Sequence, residues 1–380
     1  MTARNMIGAY GKWAGSIVGN GPAALSFRNS KFRALAPWRK QAVAKTLELL
    51  ACPQNPWRPR VRVEKRFRYD GLSVDMLSWQ LPYGPRTEAV FLKPSDARGR
   101  LPAVLALHDH AGKKYFGTRK ITRTSDSQHP MMIEHQKEYY GGRAWANELA
   151  KRGYAVLVND AFVFSSRRVR YSDVDTALVG NRVEQDPESG KEITEYNNWA
   201  GGHEHIMAKS LFCAGTTWPG VFLYEDQRAL DYLCSRSDVD SSRVACGGLS
   251  GGGLRTVMLG GLDPRIKVAF PVGFMSTWRD FLLHKCHTHT WMLYVPLLPK
   301  YLDLPEILGL RAPLPAFVMN DSEDALFTLP EMRRADRILC DVYRKAGASK
   351  NYRCKFYPGP HKFDVAMQKD AFDWLDPLMK

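Results

Sequence analysis

One serine of the chain stands in a setting that suits a covalent nucleophile. The pentapeptide Gly248-Leu249-Ser250-Gly251-Gly252 is a GxSxG motif that follows the apolar run RVACGG and opens a helical pattern. A strand, a sharp turn and a helix in this order form a nucleophile elbow, which presents a serine hydroxyl above the end of a sheet. Small flanking residues are needed because the strand and helix backbones approach closely. The motif fits neither GxGxxG nor GxxxxGK[ST], so a phosphate-binding loop is disfavoured. We predict that Ser250 is the nucleophile, the alternative being an ordinary glycine-rich turn.

A nucleophilic serine needs a base and an acid that orients the base, and in an elbow arrangement both come later in the chain. Asp321, Glu323 and Asp324 follow an apolar run that ends near residue 320. We favour Asp324 as the orienting acid because a few loop residues are needed to carry a carboxylate back towards the serine, and Asp321 is the alternative. His361 lies in the Pro/Gly turn of KFYPGPHKFD, after the last predicted strand. This position predicts that His361 is the general base.

An oxyanion that develops during acyl transfer needs two N–H donors. One is expected from the residue after the nucleophile, Gly251, and the other from a loop that follows an early strand. The run PAVLALH at 102–108 leads into such a loop, with the sequence HDHAG. We assign the second donor to the backbone of His110, with Asp109 as the near alternative.

The elements that must position these residues follow from two hydrophobic patterns. VRVEKRFRY (61–69) alternates, turns at Asp70–Gly71 and resumes at 72–80, which predicts an antiparallel hairpin that a third strand at 87–94 extends. Later runs are short and nearly all apolar, as in parallel strands buried on both faces. They lie at 102–108, 154–160, 243–248, 266–272 and 314–320, with a more mixed run at 351–358. Helices are predicted at 37–51, 142–153, 221–236, 252–262, 330–347 and 364–380.

These elements predict an α/β fold with a doubly wound, mostly parallel sheet and antiparallel N-terminal strands. We expect a helical extension at 1–60 and one catalytic domain at 61–380. Two stretches, 161–220 and 274–312, are long, irregular and rich in Gly, His, aromatic and basic residues. Long insertions of this kind are usually functional, so we predict that both form a cap over the site.

The composition limits the classes of protein that remain. The formal net charge is +15, but the basic residues are spread along the chain and no nucleic-acid-binding signature is present, so we expect no nucleic-acid partner. No run reaches the roughly 18 apolar residues of a membrane span. The seven cysteines are dispersed without a CxxC motif, as reduced cysteines are, and the N-terminus lacks the apolar core of a signal peptide. We therefore expect a cytoplasmic protein.

Two histidine clusters could suggest a metal, but neither has a metal-site spacing. His203-Glu204-His205 would direct its two imidazoles to different helix faces, and His284, His287 and His289 lie in the predicted cap. We therefore predict no metal and no cofactor. Four tryptophans fall in or beside the insertions and are expected to pack the cap: Trp199, Trp218, Trp278 and Trp291.

With these motifs in place, the chain resembles the dienelactone-hydrolase-like and acetyl-xylan-esterase-like branch of the α/β-hydrolase superfamily. The resemblance covers about residues 100–364 and is carried by LHDHAG, GGLSGGG, NDSEDALF, GPHKFD and the aromatic insert at 291–307. It implies a serine esterase, often one that deacetylates plant-type carbohydrates. Two positions differ: Asp109 stands where many relatives have Gly, and Ser250 stands where dienelactone hydrolases have Cys. The second difference argues against a dienelactone substrate.

The sequence therefore predicts a cofactor-free hydrolysis of carboxylic esters, with short acyl groups on a small-molecule or oligosaccharide alcohol as the expected substrate. A serine peptidase of the prolyl-oligopeptidase type is an alternative, although about a hundred N-terminal residues cannot form its usual propeller. A catalytically inactive hydrolase fold that only binds is another. A basic rim at the pocket mouth would favour ligands that carry carboxylates. Its candidate members are Lys113, Lys114, Arg119, Lys120, Arg167, Arg168 and Arg170.

Overall fold

The structure, a computed structural model, describes residues 4–54, 57–184 and 188–380. Within these ranges, strands join into one nine-stranded mixed sheet of order β1-β2-β3-β5-β4-β6-β7-β8-β9. They are β1 (Arg62–Tyr69), β2 (Leu72–Trp79), β3 (Thr87–Pro94), β4 (Leu101–Ala106), β5 (Ala155–Asn159), β6 (Val239–Leu249), β7 (Ile266–Val272), β8 (Ala316–Asp321) and β9 (Tyr352–Tyr357). Each predicted strand is present close to its expected bounds, and β6 differs most because it begins at Val239.

The sheet starts antiparallel and continues parallel, as the two hydrophobic patterns predict. β1, β2 and β3 form an antiparallel meander, and β3 also runs antiparallel to β5. All pairs from β5 through β4 to β9 are parallel. The carboxyl ends of parallel strands meet at one edge of a sheet, where α/β proteins place their sites. The loops that follow β4, β6, β8 and β9 therefore emerge at the same edge.

Helices cover both faces of the sheet, which explains why the central strands are apolar on both sides. The helices of the described chain are α1 (Gly11–Val18), α2 (Leu35–Leu50), α3 (Pro130–Tyr140), α4 (Trp145–Lys151), α5 (Thr176–Val179), α6 (Gly190–Cys213), α7 (Trp218–Ser235), α8 (Gly251–Leu262), α9 (Trp278–Asp280), α10 (Leu304–Gly309), α11 (Leu329–Lys345) and α12 (Val365–Met379). One face of the sheet packs against α2, α7, α8 and α11, and the other face packs against α4 and α12. None of the helices, over the part of the chain that is described, is long and apolar enough to cross a membrane.

The expectation that 161–220 is irregular is wrong for much of its length. The 24-residue helix α6 occupies Gly190–Cys213, and the Ser189 side chain caps its start by accepting a hydrogen bond from Glu192 N–H at 3.2 Å. The sequence of α6 does not show a helical pattern of apolar residues, because polar residues, among them Asn197 and Glu204, occupy some of its buried positions. The second insertion, 274–312, consists of short helices and turns.

The N-terminal helices pack onto the same core as the sheet. In α2, Trp38, Ala42 and Leu50 are fully buried. The Trp38 ring stacks on Phe27 at 4.5 Å, and its Nε1–H donates to Leu25 O. The end of α2 is joined to the start of α7, because Thr217 Oγ1 donates to Leu50 O at 2.6 Å. The segment therefore contributes core surface, although it precedes the sheet.

Candidate active site

Ser250 occupies a strained turn between β6 and α8. Its backbone has φ +58° and ψ −118°, a conformation that is costly for a residue with a side chain. The flanking glycines allow this turn to pass close to the neighbouring strand. A Cβ atom on Gly248 or on Gly252 would lie 2.1 or 2.0 Å from Leu107 O. The GxSxG motif is therefore required by backbone contact, and the strained residue is the serine itself.

His361 and Asp324 form a hydrogen-bonded pair. His361 Nδ1 lies 2.6 Å from Asp324 Oδ2, while Asp324 Oδ1 accepts the N–H of Leu326 at 2.8 Å. The other imidazole nitrogen, Nε2, is buried and has no hydrogen-bond partner among the described residues. His361 and Ser250 line the same cavity. The arrangement leaves Nε2 available to a hydroxyl or a ligand in that cavity.

Asp321 lies at the end of β8 and makes a different contact. Its Oδ2 accepts the backbone N–H of Lys362 at 3.0 Å. Burial raises the pKa of the Asp321 carboxyl to about 7. Asp321, Asp324 and His361 place ligand atoms within 4.8 Å of one another. The Asp324–His361 hydrogen bond already uses two of these three groups.

Gly273 provides the space for the imidazole, a role that the sequence motifs do not indicate. It follows β7 and has φ +56°, and a Cβ atom there would lie 2.8 Å from His361 Cε1. A glycine that directly follows a buried strand is the signal that sequence analysis could have used.

The two predicted N–H donors lie side by side. Gly251 is the first residue of α8, so its N–H has no acceptor within the helix. A Cβ atom on Gly251 would lie 3.1 Å from the backbone nitrogen of His110. The backbones of Gly251 and His110 therefore lie close together, next to Ser250.

The Asp109 side chain connects the 108–112 loop to the protein interior. Asp109 is buried, and its Oδ1 accepts hydrogen bonds from His135 Nε2 at 3.1 Å and from the Tyr140 hydroxyl. Burial opposes ionisation of Asp109, but His135 and Lys120 hold the pKa of its carboxyl well below the usual range. Asp109 therefore anchors the loop through its side chain.

Glu204 is a site residue that sequence analysis did not recognise as one. Its Oε1 lies 2.7 Å from His110 Nε2 and 2.7 Å from Lys114 Nζ. Burial opposes its ionisation, but these two partners lower the pKa of Glu204 to about 2. The other members of the cluster point elsewhere, since His203 stacks on Trp199 at 4.8 Å and His205 is exposed. No signal in the sequence connects Glu204 to the distant His110.

The cavity above Ser250 has a volume of about 330 Å³. Much of its wall is apolar and comes from the 274–312 insertion and from Leu326. Within the insertion, burial lowers the pKa of His289 to about 4, so its imidazole is neutral at physiological pH. The lining residues are Asp109, His110, Ala111, Gly112, Tyr139, Leu249, Ser250, Gly251, Phe274, Thr288, His289, Thr290, Met292, Leu293, Leu326 and His361. No lysine or arginine is in this set of described residues.

The hypothesis of a basic rim is wrong for three of its members. Lys114, Lys120 and Arg167 are at most 3% exposed. Each is paired inside the protein, with Glu204, Asp109 and Glu225 respectively. Buried cations are retained where carboxylates or carbonyls compensate them, and the sequence does not reveal such partners. Of the other members, Arg119 pairs with Glu188 at 3.0 Å, and Arg168 and Arg170 line a separate cavity of about 220 Å³.

Comparisons with known proteins agree with this architecture. A scan against protein-family models gives no match. The chain is 28% identical over 318 residues to "Putative hydrolase YtaP" of Bacillus subtilis (strain 168), covering 83% of this chain and 90% of that protein. It matches the structure of a "putative acetyl xylan esterase" from Bacteroides fragilis NCTC 9343 with TM-score 0.67 and 15% identity, over 93% of this chain and 83% of that chain. It also matches a glucuronoyl esterase from Solibacter usitatus with TM-score 0.61 and 14% identity, over 95% and 98%.

The chain has the α/β-hydrolase fold. The strand order, the serine at the turn after β6 and the structural neighbours agree on this point.

Proposed function

We propose that this protein is a serine esterase in which Ser250, His361 and Asp324 act as a catalytic triad. The observation that carries the proposal is the set of contacts around His361. Its Nδ1 is bonded to Asp324 at 2.6 Å, its buried Nε2 is unpartnered among the described residues, and it shares a cavity with the strained Ser250. Serine activation requires an imidazole with one nitrogen fixed by an acid and the other nitrogen free to accept the hydroxyl proton.

The reaction follows from these positions. His361 Nε2 accepts the Ser250 hydroxyl proton while Oγ attacks the ester carbonyl carbon. The oxyanion that forms is stabilised by the N–H groups of Gly251 and His110, and the positive end of α8 favours the same charge. His361 then gives its proton to the leaving alkoxide as the C–O bond breaks. The products of this half-reaction are the free alcohol and an acyl-Ser250 ester.

Water completes the cycle by the reverse sequence of proton transfers. His361 takes a proton from the attacking water, and the second tetrahedral intermediate uses the same two N–H donors. Collapse returns the proton to Ser250 and releases the carboxylic acid. Asp324 keeps the Nδ1 proton in place and stabilises the imidazolium in both halves.

For the substrate we propose a short-chain acyl ester, such as an acetyl ester, of a carbohydrate-like alcohol. Structural neighbours described as acetyl xylan and glucuronoyl esterases support an ester of a carbohydrate. The cavity of about 330 Å³ is at the small end of ligand pockets, which favours a short acyl group over a long lipid chain.

The test combines a covalent probe with a substrate panel. A fluorophosphonate probe should label wild-type protein on Ser250 and fail to label Ser250→Ala. Turnover of p-nitrophenyl esters should fall from acetyl to octanoyl, and acetylated sugars should release acetate. Absence of labelling would favour a binding protein with an inactive hydrolase fold, and cleavage of peptides in preference to esters would favour a peptidase.

A further inference from the structure

The buried lysine beneath the 108–112 loop has a specific arrangement of partners. Lys120 ends the 3₁₀ turn Thr118–Lys120 and is fully buried. Its Nζ donates to Asp109 O at 2.8 Å and to His110 O at 2.8 Å. The same ammonium lies 3.6 Å from Asp109 Oδ2 and 4.8 Å from the centre of the Phe164 ring. Two of the three N–H groups of the ammonium therefore donate to loop carbonyls, and the carboxylate of the same loop lies nearby as a counter-charge.

The first of these carbonyls belongs to the same peptide unit as a proposed oxyanion donor. Asp109 O and His110 N–H are on opposite sides of one planar peptide. Fixing the carbonyl therefore fixes the direction of the N–H. The backbone nitrogen of His110 is close to Gly251, where a Cβ atom would lie 3.1 Å away.

A second donor holds the same carbonyl. His108 Nε2 accepts the N–H of Ala161 at 3.2 Å, so its ring proton is on Nδ1, which donates to Asp109 O at 2.9 Å. A carbonyl that accepts two hydrogen bonds, one of them from a cation, polarises its peptide and makes the opposite N–H a stronger donor. The loop needs such support because Ala111, which carries a Cβ atom, has a positive φ of 42°.

We propose that Lys120 is a positioning residue of the oxyanion hole, holding and polarising the Asp109–His110 peptide so that the His110 N–H faces the reacting oxygen. This inference rests on the proposed esterase function. Lys120 is not among the described residues that line the cavity, so its effect passes through the peptide. The Asp109 carboxylate, held by His135 and Tyr140, compensates the lysine charge. Orientation of an N–H in advance is what makes an oxyanion hole effective.

The test measures kcat and KM for p-nitrophenyl acetate with Lys120→Met, which keeps most of the side-chain volume and removes the charge and the donors. We expect kcat to fall about 10–100-fold, less than complete loss of a donor costs, with KM changed by less than about twofold. Asp109→Asn combined with Lys120→Met is measured as well, because it leaves no unpaired carboxylate behind. Circular dichroism establishes that each variant is folded.

Arg311→Met is the matched control. Arg311 is also a buried cation that donates to main-chain carbonyls, among them those of Gly260, Lys267 and Pro315, and none of its acceptors is in the 108–112 loop. Its kcat should stay near the wild-type value. The proposal is overturned if a folded Lys120 variant keeps wild-type kcat, if Arg311→Met loses as much, or if neither Lys120 variant folds. The esterase proposal fails separately, when Ser250→Ala remains active.

Discussion

His361 Nδ1 lies 2.6 Å from Asp324 Oδ2, whereas the neighbouring carboxylate of Asp321 accepts the backbone N–H of Lys362. Two acids three residues apart thus make different contacts: both lie near the imidazole, but only Asp324 forms a hydrogen bond with it. This difference gives the two side chains separate, measurable roles.

Asp324→Asn should lower kcat by roughly 10³–10⁴-fold, because an amide cannot stabilise the imidazolium and favours the wrong tautomer of His361. Asp321→Asn is the matched control, since its amide oxygen can still accept the Lys362 N–H. We expect it to change kcat only severalfold. Steady-state kinetics on p-nitrophenyl acetate would measure both, and a larger loss in Asp321→Asn would reverse the assignment.

Ser250→Ala should reduce kcat by about 10⁴–10⁶-fold while the thermal transition stays cooperative. His361→Ala should cost about as much. The double variant should be little worse than either single one, because the nucleophile and base act as a unit. Additive losses in the double variant would show that the two side chains act independently.

Asp321 should make stability depend on pH in the neutral range. Its pKa is about 7 in the folded protein, against roughly 3.9 for an unfolded aspartate. Between these values the folded state keeps a proton that the unfolded state has released, so the free energy of unfolding falls as the pH rises. Asp321→Asn should therefore match wild type near about pH 4 and exceed it by roughly 1–3 kcal/mol near pH 8.

Urea unfolding at both pH values would measure this effect. Asp96→Asn, at an exposed position, is the control and should leave both values unchanged. A stability difference between Asp321→Asn and wild type that is the same at both pH values would contradict the linkage.

Met292→Ala should shift the acyl preference towards longer chains. Met292 lines the cavity from the 274–312 insertion, and truncation enlarges the space available to an acyl group. The ratio of kcat/KM for butyryl and acetyl esters should rise about 3–10-fold. Met332→Ala, which truncates a buried methionine of α11 outside the cavity, should leave that ratio unchanged. An unaltered ratio in Met292→Ala would show that Met292 contributes to packing and does not limit the length of the acyl group.

Charge should contribute little to substrate selection. No lysine or arginine is among the described residues that line the cavity. The kcat/KM values for acetyl esters of neutral and carboxylate-bearing sugars should therefore change by less than about twofold between low and high salt. A preference for the anionic sugar that disappears at high salt would restore the hypothesis of a basic rim, with Lys113, Arg168 and Arg170 as its candidates.

The sequence alone determined the sheet and the order of the candidate site residues along it. Strands β4 to β8 are buried on both faces, so they appear as short apolar runs that need no tertiary information. The glycines around Ser250 identify the elbow, although the backbone that they make room for, Leu107, is distant in the sequence. The positions of Asp324 and His361 after their strands follow from the elbow. The 24-residue helix α6 was missed because polar side chains occupy its buried positions.

Only the tertiary structure decided where the charged residues point and what they hold. Lys114, Lys120 and Arg167 look like surface residues in the sequence, yet each is buried against a carboxylate. Lys120 donates to two backbone carbonyls. Because every residue has a carbonyl, no residue type in the sequence indicates which carbonyls will accept these hydrogen bonds. The partner of His110, Glu204, is 94 positions away on another element. Hydrophobic period is a local property that a sequence displays, whereas compensation of a buried charge depends on groups that only folding brings together.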